Sequence, residues 1–100
     1  VTRARFIAPA RREFLLEIAY YTAIEPGLGV RFASRVQEAV ARAVAFPLSG
    51  SPASANTRRL FVQEFPFALI YRADERGIVI FALAHHSRRP EYWQPRVQQP

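Results

Sequence analysis

The chain has no cysteine and no methionine, and its 14 basic residues are all arginine, so lysine is missing as well. Without cysteine there is no disulfide to staple a small fold and no thiolate to hold a metal, a composition that suits the cytosol. Without lysine, the positive charge rests on guanidinium forks, which match phosphates and carboxylates. No apolar run approaches the roughly 20 residues of a membrane span, and no signal-peptide pattern opens the chain. The chain begins at Val1 rather than methionine, as initiator removal before a small residue or a trimmed terminus would each leave it. The expectation is a soluble, intracellular, cytoplasmic protein with no membrane partner.

What is present is an excess of positive charge, +6 over 100 residues. A GC-rich coding sequence accounts for arginine in place of lysine but not for the excess, which admits nucleic acid, a ribosome or an acidic protein as partner. The length bounds a single domain, residues 1–100, with a core of little margin.

Val1 to Ala8 alternates weakly and reads as a first strand at a sheet edge. From Pro9, a favourable first-turn residue, Phe14, Ile18 and Tyr21 recur with Leu15 and Thr22 beside them. They predict an amphipathic helix to Ile24, with Arg11, Arg12, Glu13 and Glu17 on its wet side. Pro26, Gly27 and Gly29 break the pattern, and Phe32, Val36, Val40 and Val44, with Ala39 and Ala43, form a second stripe up to Phe46. The two helices should pack as a hairpin. Pro47 to Thr57 is small, polar and punctuated by proline and glycine, and reads as a loop.

Leu60 to Phe65 alternates as a half-buried strand until Pro66, which has no N–H for a ladder, marks a bend or an edge. Phe67 to Ala73 is a second strand, Asp74-Glu75-Arg76-Gly77 a turn, and Ile78 to His85 a third strand. The layout is α+β, ordered β-α-α-β-β-β, with a helical hairpin on one face of a small, mainly antiparallel sheet. The last two strands are apolar on both faces, Leu69 and Tyr71 against Ile70, and Ile78 and Ile80 against Val79, Phe81 and Leu83. Two helices cover one face only. The other is expected to be a partner surface, the alternative being closure by the tail around Tyr92 and Trp93. Contacts should begin at Leu69, Ile70, Phe81 and Leu83.

Where the last strand stops, the chain crowds His85, His86, Arg88, Arg89, Tyr92 and Trp93 together, so a functional tail is expected over residues 85–100. Arginines interleaved with aromatics stack bases or grip acidic partners, which marks Arg88, Arg89, Tyr92 and Trp93 as target-binding candidates. His85 and His86 are adjacent on a strand end, so they point to opposite faces and cannot share one metal; no metal or cofactor is expected. His86 has the side chain best suited to moving protons near neutral pH. Glu64 is the general-base candidate on the strands, a pair with an arginine being the alternative.

The run Arg58-Arg59-Leu60, then Phe65-Pro66-Phe67-Ala68-Leu69-Ile70-Tyr71-Arg72, then Ile78 to Ala84 leading into His85-His86-Ser87-Arg88-Arg89-Pro90-Glu91-Tyr92-Trp93, resembles the RelE/ParE superfamily of toxins from type II toxin-antitoxin systems. The ParE-like, plasmid-stabilisation branch is the closer likeness. The resemblance implies a toxin that inhibits DNA gyrase without a recognised active site and is silenced by a cognate antitoxin with an acidic, extended or helical segment. The alternative it implies is a RelE-like endoribonuclease that cuts messenger RNA on the ribosome. A plain basic RNA-binding module is a third reading. For the ribonuclease, the resemblance points to Arg59, Arg88 and Tyr92 or Trp93, and His86 joins Arg59, Arg88 and Tyr92 as a candidate through its proton chemistry. The position matching the nucleases' third-strand arginine is Phe67 or Ala68, so a cation for the transition state is missing and the expectation leans away from an enzyme. Arg72 lies four residues beyond Ala68, about 13 Å along a strand.

Overall fold

The computed structural model describes residues 3–97. Val1 and Thr2 of the expected first strand and residues 98–100 of the expected tail lie outside the described residues. The elements are β1 (Arg3–Phe6), α1 (Ala8–Ile24), α2 (Pro26–Ala45), β2 (Ser51–Ala53), β3 (Thr57–Phe61), β4 (Phe67–Asp74), β5 (Gly77–His85) and a short α3 (Gln94–Val97). They form one sheet in the order β1-β5-β4-β3-β2, antiparallel except where β1 runs parallel to β5 at the edge. The α+β class with a helical hairpin on one face is as expected, and β2 is an additional strand. Its Ser-Pro-Ala sequence carries no strand signal and is tolerated because β2 is an edge. Arg58 fastens the approach to it, with Nη1 donating to the carbonyl of Gly50 at 2.7 Å and of Leu48 at 3.3 Å.

The helices meet more tightly than the sequence pattern indicates. Glu25 alone separates them, and Pro26 opens α2 at a position where its missing N–H costs nothing, instead of ending a helix. Gly29 is buried against α1, and a Cβ there would sit 1.9 Å from Thr22 Oγ1. Glycine is what lets the two backbones approach this closely.

Phe14 and Phe32, with Val36 and Val40, pack onto Phe67, Leu69, Tyr71, Ile78, Ile80 and Leu83 of the sheet. Tyr71 lies fully inside this core because its hydroxyl is satisfied, donating to the Pro47 carbonyl at 2.7 Å and accepting from the Gly50 N–H at 3.1 Å. At the β4–β5 turn Gly77 has φ +133°, and a Cβ there would lie 1.9 Å from the Arg3 carbonyl oxygen. The turn glycine thus serves the pairing with β1 as well as the hairpin.

The two-sided hairpin departs from simple alternation. Ile70 pairs with Ala82 and Tyr71 with Ile80, which leaves Phe81 as the extra residue of a bulge. The bulge shifts the parity of everything after it. Phe81 and Ala82 join Ile70 on the outer face, while Leu83 returns to the helix face beside Ile80. Leu83 therefore does not share a face with Phe81, contrary to the alternating pattern.

The outer face is closed by the tail, with Trp93, only 1 % exposed, packed on Ile70, Phe81 and Ala82. The expected partner contacts at Leu69, Ile70, Phe81 and Leu83 are corrected accordingly. Leu69 and Leu83 are buried under the helices and Ile70 and Phe81 under the tail, so no common surface joins them. On α1, Leu15, Leu16, Tyr20 and Ile24 are each more than half exposed, and Val30, Phe46, Leu48 and Phe61 are exposed apolar side chains elsewhere. Among the described residues, no helix is long and apolar enough to cross a membrane.

Candidate functional site

β5 ends in a sharp reversal. The His86 N–H still donates to the Pro66 carbonyl, at 2.9 Å, and the Arg88 N–H donates back to the His85 carbonyl at 3.0 Å. His85 Nδ1 accepts from the Ser87 N–H at 2.9 Å. Glu91 takes a left-handed conformation, φ 61°, and successive turns through Tyr92, Gln94 and Arg96 carry the tail back over the outer face of the sheet.

Between tail and sheet lies a cleft of about 320 Å³. Its floor is apolar, from Ala68, Ile70 and Ala84, and its walls carry Arg59, Phe61, His86, Arg88, Arg89, Glu91 and Tyr92. The ribonuclease set of Arg59, His86, Arg88 and Tyr92 thus comes together, as do Arg88 and Arg89 of the target-binding set. Trp93 is the exception to that set: it reaches the cleft from below but is core, and its ring has no surface to offer a target. The rings of the two histidines go to different neighbours, His85 edge-on to Phe67 at 4.9 Å and His86 edge-on to Phe61 at 5.5 Å.

The Arg88 guanidinium lies 3.8 Å from the centre of the Tyr92 ring, and that of Arg96 lies 5.1 Å away. The Tyr92 hydroxyl does not point to a reactant. It donates to Oε2 of Glu13 at 2.7 Å. Burial first, then the hydrogen bond to Glu13 and its negative charge, push the Tyr92 pKa well above its ordinary value, against the pull of Arg96 and Arg88. This phenol stays protonated and occupied.

Glu13, expected on the wet side of α1, is instead the hub of the tail's attachment. Its Oε1 accepts from the Leu83 N–H at 3.1 Å and Arg96 Nη1 at 3.0 Å, and its Oε2 also accepts from Arg96 Nη2 at 2.9 Å. From the sequence, Glu13 falls in solvent and Arg96 is not singled out. One signal was available: Tyr92 and Arg96 are four apart, which places both on one side of a helical turn.

The remaining candidates are occupied elsewhere. Arg58 holds the β2 approach. Arg72 donates to the carbonyls of Asn56, at 3.0 Å, and of Ala55, with its guanidinium 5.4 Å from the Phe81 ring centre. Glu64 is ion-paired with Arg35 at 3.1 Å and Arg31 at 3.6 Å, both on α2. The hydrogen bond from Arg35 holds its carboxyl below the usual range despite opposing desolvation, with the charges of Arg35 and Arg31 adding to it. Phe67 and Ala68 are buried, Ala68 at the cleft floor, and neither supplies a cation.

No curated protein matches the chain. A solved structure described as "Chromosomal ParDE TA system from P. aeruginosa" shares the fold, with a TM-score of 0.72 at 18 % identity over 84 % of this chain and 95 % of that one. The profile of the family described as "ParE toxin of type II toxin-antitoxin system, parDE" matches residues 6–90. A match over most of the chain, on a fold of the same kind, places this protein in the ParE toxin family of type II toxin-antitoxin systems.

Proposed function

We propose that this toxin acts in the cytoplasm by binding DNA gyrase through the tail cleft, without cleaving RNA. The observation that carries the reading is the cleft's make-up: Arg59, Arg88 and Arg89 around an apolar floor, with the one tyrosine hydroxyl bound to Glu13. Arginine and aromatic groups around an apolar centre are what protein interfaces use to hold an acidic or apolar segment. In-line RNA cleavage needs a cation for the phosphorane and an acid and base to move protons. Here the strand position of the expected cation is Ala68 or Phe67, and Tyr92 is withdrawn from proton transfer. Family membership supports gyrase as the target, and the cleft itself does not identify it.

Silencing is assigned to a cognate antitoxin bound on the outer face of α1. Leu15, Leu16, Tyr20 and Ile24 supply apolar contact there, and Arg11 and Arg12, exposed at the start of the helix, suit an acidic segment. The test is to express the chain alone in bacteria and follow DNA integrity and protein synthesis together. DNA breakage with synthesis continuing supports the reading. Immediate arrest of translation with intact DNA would replace gyrase by the ribosome.

A further inference from the structure

We propose that Glu13 is the positioning residue of the tail: acting through Tyr92, and anchored by Arg96, its carboxylate holds Arg88 at the cleft. The inference rests on the reading of the cleft as the target-binding site.

The arrangement starts from an uncovered strand edge. β1 pairs with β5 only as far as Phe6 opposite Ile80, and the Ile7 N–H makes the last backbone bond, to the Ile80 carbonyl at 3.1 Å. Beyond it the bulge turns the Phe81 carbonyl and the Leu83 N–H toward an edge that no strand among the described residues covers. Buried backbone groups need partners, and side chains provide them. Arg96 Nη1 donates to the Phe81 carbonyl at 3.0 Å and Glu13 accepts from the Leu83 N–H at 3.1 Å. The two-pronged Glu13–Arg96 pair thereby stands in for the missing strand, a fork geometry that fixes orientation as well as charge.

Edge closure uses Glu13, Arg96 and β5 alone. Tyr92 adds a separate arm. Its hydroxyl on Glu13 fixes the ring, and the ring carries the Arg88 guanidinium at 3.8 Å. The contact found for the Arg88 side chain is this ring, whereas its backbone is tied only to the His85 carbonyl. A residue on α1 thus sets where a cation of the tail stands, although Glu13 itself lies outside the cleft lining.

The test measures affinity for purified DNA gyrase and thermal stability of the full chain for wild type, Glu13→Gln, Tyr92→Phe, the Glu13→Gln/Tyr92→Phe double variant and the Arg88→Ala/Arg89→Ala variant. Tyr92→Phe keeps the ring and leaves the Glu13–Arg96 pair intact, so it carries the test if Glu13→Gln fails to fold. Each single change releases the ring that orients Arg88 and is expected to weaken gyrase binding about two- to fivefold, the fold-change that corresponds to an exposed cation–aromatic contact. The double variant is expected to bind no more weakly than the worse single one, because both cut the same link. A purely structural role would move stability without this coupling in affinity. Wild-type affinity in Tyr92→Phe, beside a weakened Arg88→Ala/Arg89→Ala variant, overturns the positioning role alone. Wild-type affinity in Arg88→Ala/Arg89→Ala overturns the cleft reading and the inference with it.

Discussion

The hydroxyl of Tyr92 donates to Glu13 across 79 positions of sequence, at 2.7 Å, and ties the C-terminal tail to the first helix. Function and stability meet at this contact. Arg88 and Arg89 are exposed on the cleft, while Tyr92, whose ring carries the Arg88 guanidinium, is tied into the fold.

The contact predicts an alkaline weakness. A tyrosine in the unfolded chain releases its proton near pH ~10, whereas burial, the hydrogen bond to Glu13 and its charge keep Tyr92 protonated to higher pH in the folded state. Its contribution is complete below the unfolded value and is lost as pH rises from there toward the folded one. Denaturant titrations are expected to show stability falling above about pH 10, with a shallower fall in Tyr92→Phe. Equal slopes would show that Tyr92 is not held protonated.

The tail divides into a structural and a functional part. Trp93→Ala removes a fully buried ring from the outer core and is expected to cost about 3–5 kcal/mol. Arg88→Ala and Arg89→Ala should each stay within about 1 kcal/mol, Arg88 losing only an exposed cation–aromatic contact. Thermal and denaturant unfolding of the three variants checks the contrast. A stable Trp93→Ala protein would mean that the tail does not close the sheet.

Gly29→Ala should destabilise by more than about 1 kcal/mol, because the added methyl collides with the Thr22 side chain. Adding Thr22→Ala removes the atom 1.9 Å away and is expected to recover part of the loss. Melting temperatures of the single and double variants decide it, and additive losses would rule out the close contact.

Replacing Leu16 and Tyr20 with glutamate should leave the fold intact, since both side chains are largely exposed. Antitoxin binding is expected to fall at least tenfold, the equivalent of about 1.4 kcal/mol. Co-purification and calorimetry with the cognate antitoxin test the assignment; unchanged affinity would move the antitoxin to another surface.

The hairpin of β4 and β5 was legible because both strands are dense in large apolar residues and Asp74 to Gly77 combines polar turn residues with a glycine. Both helices were legible from their spacing, and the clustering of arginine, histidine and aromatic residues after His85 pointed to the cleft. Among what was not legible, three features are each decided by a non-local contact. Ser51–Ala53 becomes a strand through its pairing with β3 and not through propensity. Leu83 changes face because of a bulge that period-two reasoning does not contain. Glu13 leaves solvent because an arginine far along the chain and an open strand edge give it partners that outweigh its hydration.

Gyrase supercoiling by purified enzyme, with messenger RNA from expressing cells mapped by primer extension alongside, is the most direct measurement. Wild-type protein should stop supercoiling, Arg88→Ala/Arg89→Ala should lose that inhibition, and the messenger RNA should remain uncut. Unimpeded supercoiling together with codon-positioned cuts that vanish in His86→Ala would contradict the gyrase reading and establish a ribonuclease.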